Sequence, residues 1–428
     1  MRHRPLSLLL APCLALLPAA PGEAAGLEVV GGGFEREGVA YRAVGVNYFD
    51  AFLRTLREPG DFQRTRSSLT GPANTSYEAG FDGLAAAGVP FIRFNAGGFR
   101  VADYRLYQKD KAAYLAQMRA VVDAADARGI GVVPSVFWQT DSFAALAGEN
   151  RAAWADAGSA TRRLADAYAR DVVGALRGAN NVLMWEFGNE FNLQQDLPVN
   201  DDRPATISSA GVRDAVAAFA GVVAELDPAR TTTTGHSVER TAAAALRQSG
   251  SFRPLDTRED FREVTITDHA GVGVISAHLY QHSALGLDPK DSTADPAVRF
   301  GEPGLAYVEV VAELMAASAA SGKPLFLGEF GVGEGSALGA PDAPATEAEQ
   351  LRYLLDAIVE EQVPLSALWV YDRLFTGRNE LDYTITTRND RADRLALIAE
   401  ANRRLAVPEP GTLGLAGAAA LPLLRRRR

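Results

Sequence analysis

Residues 180–191 read N-N-V-L-M-W-E-F-G-N-E-F, and this stretch decides how the rest of the chain is interpreted. Five of the six residues at 182–187 are apolar or aromatic. A short apolar run of this kind, placed after a helical pattern and an Asn-Asn break, is typical of a buried parallel strand. The run ends at Gly188, Asn189 and Glu190. Because burying an unpaired charge is costly, a carboxylate at the tip of such a strand indicates chemistry rather than packing.

Seven further apolar runs predict strands, and a helical pattern follows each of the eight. The other predicted strands lie at 41–47, 89–95, 131–139, 231–235, 274–280, 324–331 and 365–371. The predicted helices lie at 76–87, 110–128, 159–177, 211–226, 239–248, 304–320, 346–361 and 391–405. Eight alternating units predict an α/β chain closed into a (β/α)8 TIM barrel, with its chemistry at the carboxyl ends of the strands. A short β-hairpin at 27–30 and 34–39 precedes the barrel.

The composition fits one large globular domain. The chain has 428 residues, of which 47% are hydrophobic and 22% charged, and single α/β barrels often reach this size. No linker interrupts residues 26–406, which we predict to be the barrel domain. Long connections at 50–74, 191–206 and 250–268 are predicted to be loops that influence substrate choice.

The first 25 residues predict a secretory signal peptide. Arg2 and Arg4 precede an apolar stretch at 6–17, and small residues follow near an expected cleavage site at Ala24 or Ala25. A transmembrane anchor is the weaker alternative, because the apolar stretch is too short to span a bilayer.

The last residues, 407–428, contain Pro408-Glu409-Pro410, a short apolar run at 411–424 and four arginines at 425–428. This layout resembles the PEP-CTERM sorting signal of bacteria. The resemblance implies an exported protein of the cell surface or extracellular matrix, with an exosortase as the partner that processes the tail. An ordinary C-terminal anchor with basic residues left inside the cell is the alternative.

Charge and motifs exclude several classes of function. The formal net charge is −10 and no basic stripe is present within the folded part, which argues against a nucleic-acid partner. The only cysteine, Cys13, lies in the predicted signal peptide, so no thiol chemistry is expected. No phosphate-binding glycine motif and no paired-cysteine or H-E-x-x-H metal motif follows a strand. We therefore expect neither a metal nor an organic cofactor.

Polar and aromatic residues gather where the predicted strands end. They are Asn47, Arg93, Trp138, Asn189, Glu190, His278, Tyr280, Glu329 and Trp369. Two of them, Glu190 and Glu329, are carboxylates. Cleavage of a glycosidic bond needs one carboxylic acid to protonate the leaving oxygen and one carboxylate to attack the sugar or activate water. Aromatic rings beside them offer flat faces on which sugars stack.

This set of residues resembles glycoside hydrolase family 5, the cellulase-like family of clan A, across residues 39–371. The resemblance rests on the strand ends Asn189-Glu190, His278-x-Tyr280, Glu329, Trp369 and Arg93. It implies a retaining mechanism, with a covalent glycosyl-enzyme and carboxyl groups about 5–5.5 Å apart.

The resemblance also implies a role for each residue. Glu190 is expected to be the acid/base and Glu329 the nucleophile, with Arg93 and Tyr280 keeping Glu329 ionised. Asn189 is expected to bind the substrate's 2-hydroxyl. His278 is expected to support the acid/base, and Trp369 to form a sugar platform. The third strand ends in Phe137-Trp138-Gln139 where the family commonly has a histidine, which gives mannan a modest advantage over cellulose.

Each assignment has a structural alternative. Arg93 could form an ion pair with Glu186 on the barrel floor, Asn47 could simply terminate its strand, and Trp138 and Trp369 could be core. Three other carboxylates near strand ends, Glu302, Glu334 and Asp372, are expected to be solvated loop residues. His236 and His282 are expected to be loop residues near the rim.

The sequence as a whole predicts a secreted retaining β-glycoside hydrolase that cleaves mannan, β-glucan or an exopolysaccharide. Two alternatives stay open. A barrel that binds glycan without cutting it could serve as a matrix protein, and a transglycosylase would use the same residues with a sugar as acceptor.

Overall fold

The computed structural model describes most of the predicted domain. The described residues are 26–58, 61–65, 75–200, 204–280, 298–303, 306–333, 339–340, 343–344, 346–374 and 383–406. The predicted signal peptide and the predicted sorting segment both lie outside them.

Eight parallel strands form the central sheet, as the sequence predicts. They are β1 Ala43–Asn47, β2 Phe91–Asn95, β3 Gly131–Phe137, β4 Trp185–Gly188, β5 Thr232–Thr233, β6 Ile275–His278, β7 Leu325–Phe330 and β8 Leu365–Leu368. Each of β1 to β4 pairs with the next strand in the chain, and so do β6 and β7. β8 returns to pair with β1 from Leu365↔Ala43 to Leu368↔Val46. A parallel bridge between Thr233 and Val274 joins β5 to β6, so the ring is closed and the (β/α)8 barrel is confirmed.

Eleven α-helices lie within the described residues and surround the strands. They are α1 Tyr77–Ala86, α2 Val101–Lys109, α3 Lys111–Asp126, α4 Thr140–Leu146, α5 Ala160–Leu176, α6 Ser209–Leu226, α7 Ala243–Ser249, α8 Arg258–Asp268, α9 Tyr307–Ser321, α10 Glu347–Glu360 and α11 Arg394–Leu405. Short 3-10 helices lie at Leu53–Leu56, Arg151–Ala155 and Phe191–Gln194. Short antiparallel ribbons pair Arg57–Glu58 with Asp61–Thr65, Val298–Arg299 with Glu302–Pro303, and Gly339–Ala340 with Ala343–Pro344. No helix in the described ranges is long and apolar enough to cross a membrane.

The predicted N-terminal hairpin is a three-stranded antiparallel sheet of Glu28–Val30, Gly33–Arg36 and Val39–Tyr41. The run predicted as the first barrel strand is therefore divided, since its start belongs to this sheet and β1 begins only at Ala43. Leu27 and Phe34 are buried in one apolar cluster with residues at the beginnings of barrel strands, namely Ala43, Phe91, Leu183, Val274, Phe326 and Leu365. The small sheet thus covers the amino-terminal end of the barrel.

The predicted loop at 250–268 is the main error in the element assignment, because it contains helix α8. The segment contains four consecutive β-branched residues at 264–267, which lower its helical propensity. Its start is nevertheless marked by a capping box, in which Thr257 accepts a hydrogen bond from the backbone of Asp260 and the Asp260 side chain accepts one from the backbone of Thr257. The sequence pattern also predicts neither α2 nor α4.

Candidate active site

Eight of the nine predicted site residues lie at or just after the carboxyl ends of barrel strands, and Arg93 lies two residues before the end of β2. Asn47, Arg93 and His278 are in β1, β2 and β6, and Glu329 is the penultimate residue of β7. The others follow their strands within two residues: Trp138, Asn189, Glu190, Tyr280 and Trp369. Because parallel strands in a barrel end on one rim, residues from seven strands meet there.

The two predicted catalytic carboxylates face each other across His278. One oxygen of Glu190, one oxygen of Glu329 and a ring nitrogen of His278 all lie within 4.8 Å of one another. The Glu329 side chain is 6% exposed and the Glu190 side chain is 18% exposed. The pair is therefore close together and differs in access to solvent.

Both oxygens of Glu329 accept hydrogen bonds. Arg93 Nη1 lies 2.7 Å from Oε1, and the Tyr280 hydroxyl donates to Oε2 over 2.7 Å. This pattern of a charged and a neutral donor suits an ionised carboxylate. Burial raises the pKa of Tyr280 well above its usual value, and the charge of Glu329 raises it further, so the phenol stays protonated as a donor.

Arg93 is fully buried and holds together both the site and the barrel interior. Each of its five N–H groups has an acceptor: Glu186 for Nε (2.9 Å), Asn47 (2.9 Å) and Glu329 (2.7 Å) for Nη1, and Glu186 (2.7 Å) and Asn189 (2.8 Å) for Nη2. Burial acts to lower the pKa of Arg93, but the charges of Glu186 and Glu329 outweigh it and raise the pKa. The floor ion pair with Glu186 and the contact with Glu329 are therefore both present.

Two asparagines orient this arginine from opposite strands. Asn47 donates from Nδ2 to the carbonyls of Gly328 (2.9 Å) and Ala367 (3.2 Å), which ties β1 to β7 and β8. Asn47 thus has more than a strand-ending role, because its oxygen also accepts from Arg93. The oxygen of Asn189 is fixed by Arg93, while its amide nitrogen makes no hydrogen bond within the described residues and is available to a ligand.

Glu190 is held by its backbone and by His278. Its φ of +53° lies in the left-handed region, which non-glycine residues rarely adopt. Its N–H donates to the carbonyl of Gly235 over 2.8 Å. Its side-chain Oε1 lies 3.3 Å from His278 Nδ1. A Cβ on Gly328 would lie only 2.9 Å from His278 Nε2, so this position of the imidazole requires a glycine beneath it.

The aromatic residues divide into a buried layer and a partly open face. Trp138 and Trp369 stack with ring centroids 6.2 Å apart and planes inclined by 26°. Trp138 is only 5% exposed, and its other contacts are Phe49 at 4.6 Å and the Arg93 guanidinium at 4.6 Å. Trp369 is partly exposed. Trp138 therefore packs behind the site, and Trp369 presents surface to it.

The expectation of a solvated loop residue is wrong for Asp372, which is buried. His236 lies in the loop after β5, as expected, and is buried there. Asp372 forms ion pairs with Arg54 (3.0 Å) and Arg388, and so serves the fold. Glu302 is exposed and pairs with Arg258 at 2.7 Å, as expected for a surface charge. Glu334 and His282 lie outside the described residues.

A second titratable cluster lies behind the rim, where His236, Glu239 and Asp268 place donor atoms within 4.8 Å of one another. Burial lowers the pKa of His236 and raises that of Glu239 to about 8. Both oxygens of Asp268 are paired with arginines, Arg213 at 3.2 Å and Arg247. Positive charge also adjoins the Glu190–His278–Glu329 group through Arg93. Neither cluster therefore favours a metal cation.

No family model and no curated protein matches the sequence, but solved structures share its fold. An endo-1,4-β-mannanase from Rhizomucor miehei superposes with a TM-score of 0.61 at 13% identity, covering 89% of this chain and 99% of that one. An exo-β-1,4-mannosidase from Opitutaceae bacterium strain TAV5 gives a TM-score of 0.56 at 18% identity, covering 89% of this chain and 64% of that one. A β-glucanase from Saccharophagus degradans in complex with cellotetraose gives 0.53 at 14% identity, covering 88% and 94%. The likeness establishes the barrel fold. The activity has to be argued from the site.

Proposed function

We propose that this protein is a β-glycoside hydrolase that cleaves with retention of configuration. The observation that carries the proposal is the pairing of Glu190 and Glu329 at the barrel rim, within 4.8 Å through their nearest donor atoms. Inverting enzymes separate the two carboxyl groups by about 6.5–9.5 Å to admit a water molecule, while retaining enzymes hold them about 5–5.5 Å apart. The spacing supports the retaining alternative.

The two carboxylates divide the reaction between them. In the first step, an oxygen of Glu329 attacks the anomeric carbon while Glu190 gives its proton to the departing glycosidic oxygen, so a glycosyl ester forms and the aglycone leaves as an alcohol. In the second step, Glu190 takes a proton from water, the water oxygen attacks the same carbon from the face that the aglycone left, and Glu329 is released. Two inversions give net retention.

The surrounding residues fit these roles. Glu329 needs to be ionised and correctly oriented, and Arg93 and Tyr280 each bond one of its oxygens. The amide nitrogen of Asn189 has no hydrogen-bond partner among the residues that the structure describes, and it is suited to donate to a sugar hydroxyl such as the 2-hydroxyl. His278 bonds Glu190 on the side away from solvent. The partly exposed ring of Trp369 offers a surface for a pyranose.

Mannan is the first substrate to test. The structurally similar proteins include mannanases and a mannosidase as well as a β-glucanase. The buried Trp138 at the end of the third strand also favours mannan. The resemblance noted above links the lack of a histidine at this position to mannan-active members. β-Glucans and bacterial exopolysaccharides are the next candidates.

The decisive experiment is a glycan panel with the protein expressed as residues 26–406. Reducing ends are measured on mannan, a cellulose derivative, mixed-linkage β-glucan, xylan and an exopolysaccharide, for the parent and for Glu329→Ala. We expect release by the parent on at least one glycan and a loss of about 10⁴-fold or more in the variant. Glycan binding without turnover would favour a matrix-binding protein. Oligosaccharides longer than the substrate would favour a transglycosylase.

We further propose that the protein is exported and acts at the cell surface or in the extracellular matrix. This rests on the sequence of residues 1–25 and 407–428 alone. Mass spectrometry of the protein from a bacterial host with and without an exosortase tests it. Loss of both terminal segments only in the host with the exosortase is expected, and an intact tail in both hosts would contradict the sorting proposal.

A further inference from the structure

Asn192, two residues after Glu190, joins two rim loops through its side chain. It is 3% exposed and lies in the short 3-10 helix Phe191–Gln194. Its Oδ1 accepts from the N–H of Ser237 over 3.0 Å, and its Nδ2 donates to the carbonyl of Ser237 over 2.8 Å. A side-chain amide that bonds both backbone groups of one residue imitates a β-bridge. The loop after β4 is thereby fastened to the loop after β5.

The loop after β5 is in turn fastened to His278. The N–H of Val238 donates to the carbonyl of His278 over 3.1 Å. The hydroxyl of Ser237 donates to the same carbonyl over 3.3 Å. The carbonyl of His278 is therefore bonded by Ser237, which Asn192 holds, and by the residue that follows Ser237.

These contacts form a closed ring that begins and ends at Glu190. Its backbone N–H donates to Gly235, Asn192 grips Ser237, Ser237 and Val238 bond His278, and Nδ1 of His278 returns to the Glu190 carboxyl at 3.3 Å. Glu190 needs such a ring, because its left-handed backbone lies outside any regular strand or helix. The N–H of Leu193 also donates to the Glu190 carbonyl over 3.1 Å, which helps to hold the backbone of this residue.

The two bonds to Ser237 also fix which way the Asn192 amide faces. Turning the amide over would set Nδ2 against the N–H of Ser237 and Oδ1 against its carbonyl, so both buried bonds would be lost. The amide is thus locked in the orientation that grips Ser237.

We propose that Asn192 is a positioning residue that sets the Glu190 carboxyl against His278 and so governs proton donation to the leaving group. The inference rests on the proposed function. Asn192 touches no reacting atom and acts through Ser237 and His278. Its removal should therefore impair the step that needs acid catalysis and spare a reaction that does not.

Aryl glycosides separate these two effects. A phenyl leaving group needs a proton from the acid, whereas a 2,4-dinitrophenyl group leaves without one. For Asn192→Ala, we expect kcat/KM for the phenyl β-glycoside to fall about 10- to 100-fold. The value for the dinitrophenyl glycoside should change less than about 3-fold. An equal loss on both substrates, or no loss on either, would overturn the proposal.

Asn181 is a matched control. It is 2% exposed, and its Nδ2 donates to the carbonyls of Val122 and Ile130, each over 3.0 Å. It precedes β4 and is therefore at the other end of the barrel. Asn181→Ala should lower thermal stability as much as Asn192→Ala does, while leaving the ratio of the two kcat/KM values unchanged. If Asn192→Ala does not fold, Ser237→Ala removes only the hydroxyl contact to His278 and should change the ratio in the same direction, by a smaller factor.

A readout independent of turnover keeps this inference distinct from the proposed function. The chain has five histidines, and the His278 signal in a ¹⁵N spectrum is assigned by its loss in His278→Gln. If the parent cleaves no glycoside, the proposed function fails. The ring is then tested by that spectrum, where Asn192→Ala should shift the Nδ1 resonance of His278 and Asn181→Ala should not. An unshifted resonance would overturn the ring itself.

Discussion

The hydroxyl of Tyr280 donates to Oε2 of Glu329 over 2.7 Å, which leaves Oε1 to the charged donor Arg93. Each oxygen of the proposed nucleophile thus has its own partner, and the carboxylate cannot rotate without losing both. The arrangement fixes which lone pairs remain to attack a sugar.

Tyr280→Phe removes one of these donors while keeping the ring. A hydrogen bond to a charged group contributes about 1.5–3 kcal/mol, so we expect kcat/KM to fall roughly 10- to 150-fold. Steady-state kinetics with an aryl β-glycoside measure the loss. An unchanged kcat/KM would contradict the role of the hydroxyl as a donor to Glu329.

Azide distinguishes the roles of the two glutamates. In Glu190→Ala, Glu329 still displaces a good leaving group, and azide then attacks from the face that group left, so a β-glycosyl azide is expected. In Glu329→Ala, azide enters from the opposite face and the α-glycosyl azide is expected. Proton NMR of the products reads the anomeric configuration. The reverse pattern would exchange the roles, and hydrolysis without azide products in either variant would contradict the covalent mechanism.

The N-terminal sheet should contribute stability without affecting activity. Phe34→Ala leaves a cavity in the apolar cluster at the amino-terminal end of the barrel, at a cost of about 3–5 kcal/mol. The free energy of unfolding from urea denaturation should fall by that amount, while KM and kcat at low temperature stay within about 2-fold. Val39→Ala in the same sheet is the control, since Val39 is 68% exposed and its truncation should cost little. An activity loss in folded Phe34→Ala would mean that the two barrel ends are coupled.

The buried His269 should make the free energy of unfolding sensitive to acid. Burial lowers its pKa from 6.5 to about 4. Its Nε2 accepts from the N–H of Ser276 over 3.0 Å, and its Nδ1 lies 2.7 Å from the carbonyl of Thr265, so a second ring proton would break the Ser276 bond. The unfolded chain takes up this proton near pH 6.5 and the folded chain only near pH 4. The contribution is therefore complete above pH 6.5 and is lost as pH falls toward 4, by about 3 kcal/mol in total.

The measurement is the free energy of unfolding of the parent and of His269→Gln between pH 4 and pH 7. The glutamine variant lacks the titrating group, so the stability difference between the two proteins should narrow as the pH falls. Glu239 titrates in the opposite sense, because its pKa is raised to about 8, but it is present in both proteins and cancels in the difference. A pH-independent difference would contradict the assignment to His269.

The barrel and its rim were predictable because the sequence marks clearly where each strand ends. An apolar run that stops at a charged residue, as at Glu190 and again at Glu329, shows both where a buried strand ends and which side chain it presents. The parallel topology then places those side chains on one rim without further information. The residues predicted for that rim lie there for this reason.

What could not be predicted depends on contacts between segments distant in sequence. The burial of His236 arises because α8, which was taken for a loop, covers it. A capping box at Thr257 would have revealed that helix, although nothing in the sequence places its Asp268 beside Glu239. The grip of Asn192 on Ser237 likewise requires the relative positions of two loops. The shared use of Arg93 by Glu186 and Glu329 follows only from the geometry of the barrel interior.

Arg93 has no spare hydrogen-bond donor, and its five N–H groups are divided between the interior of the barrel and the rim. The proposed catalytic site and the stability of the barrel therefore both depend on this side chain. A substitution at Arg93 cannot change one without the other. In a library of random variants, substitutions at Arg93 and Glu186 should lower expression and activity together. Variation that alters what the protein accepts should accumulate elsewhere, on the parts of the rim that this arginine does not reach.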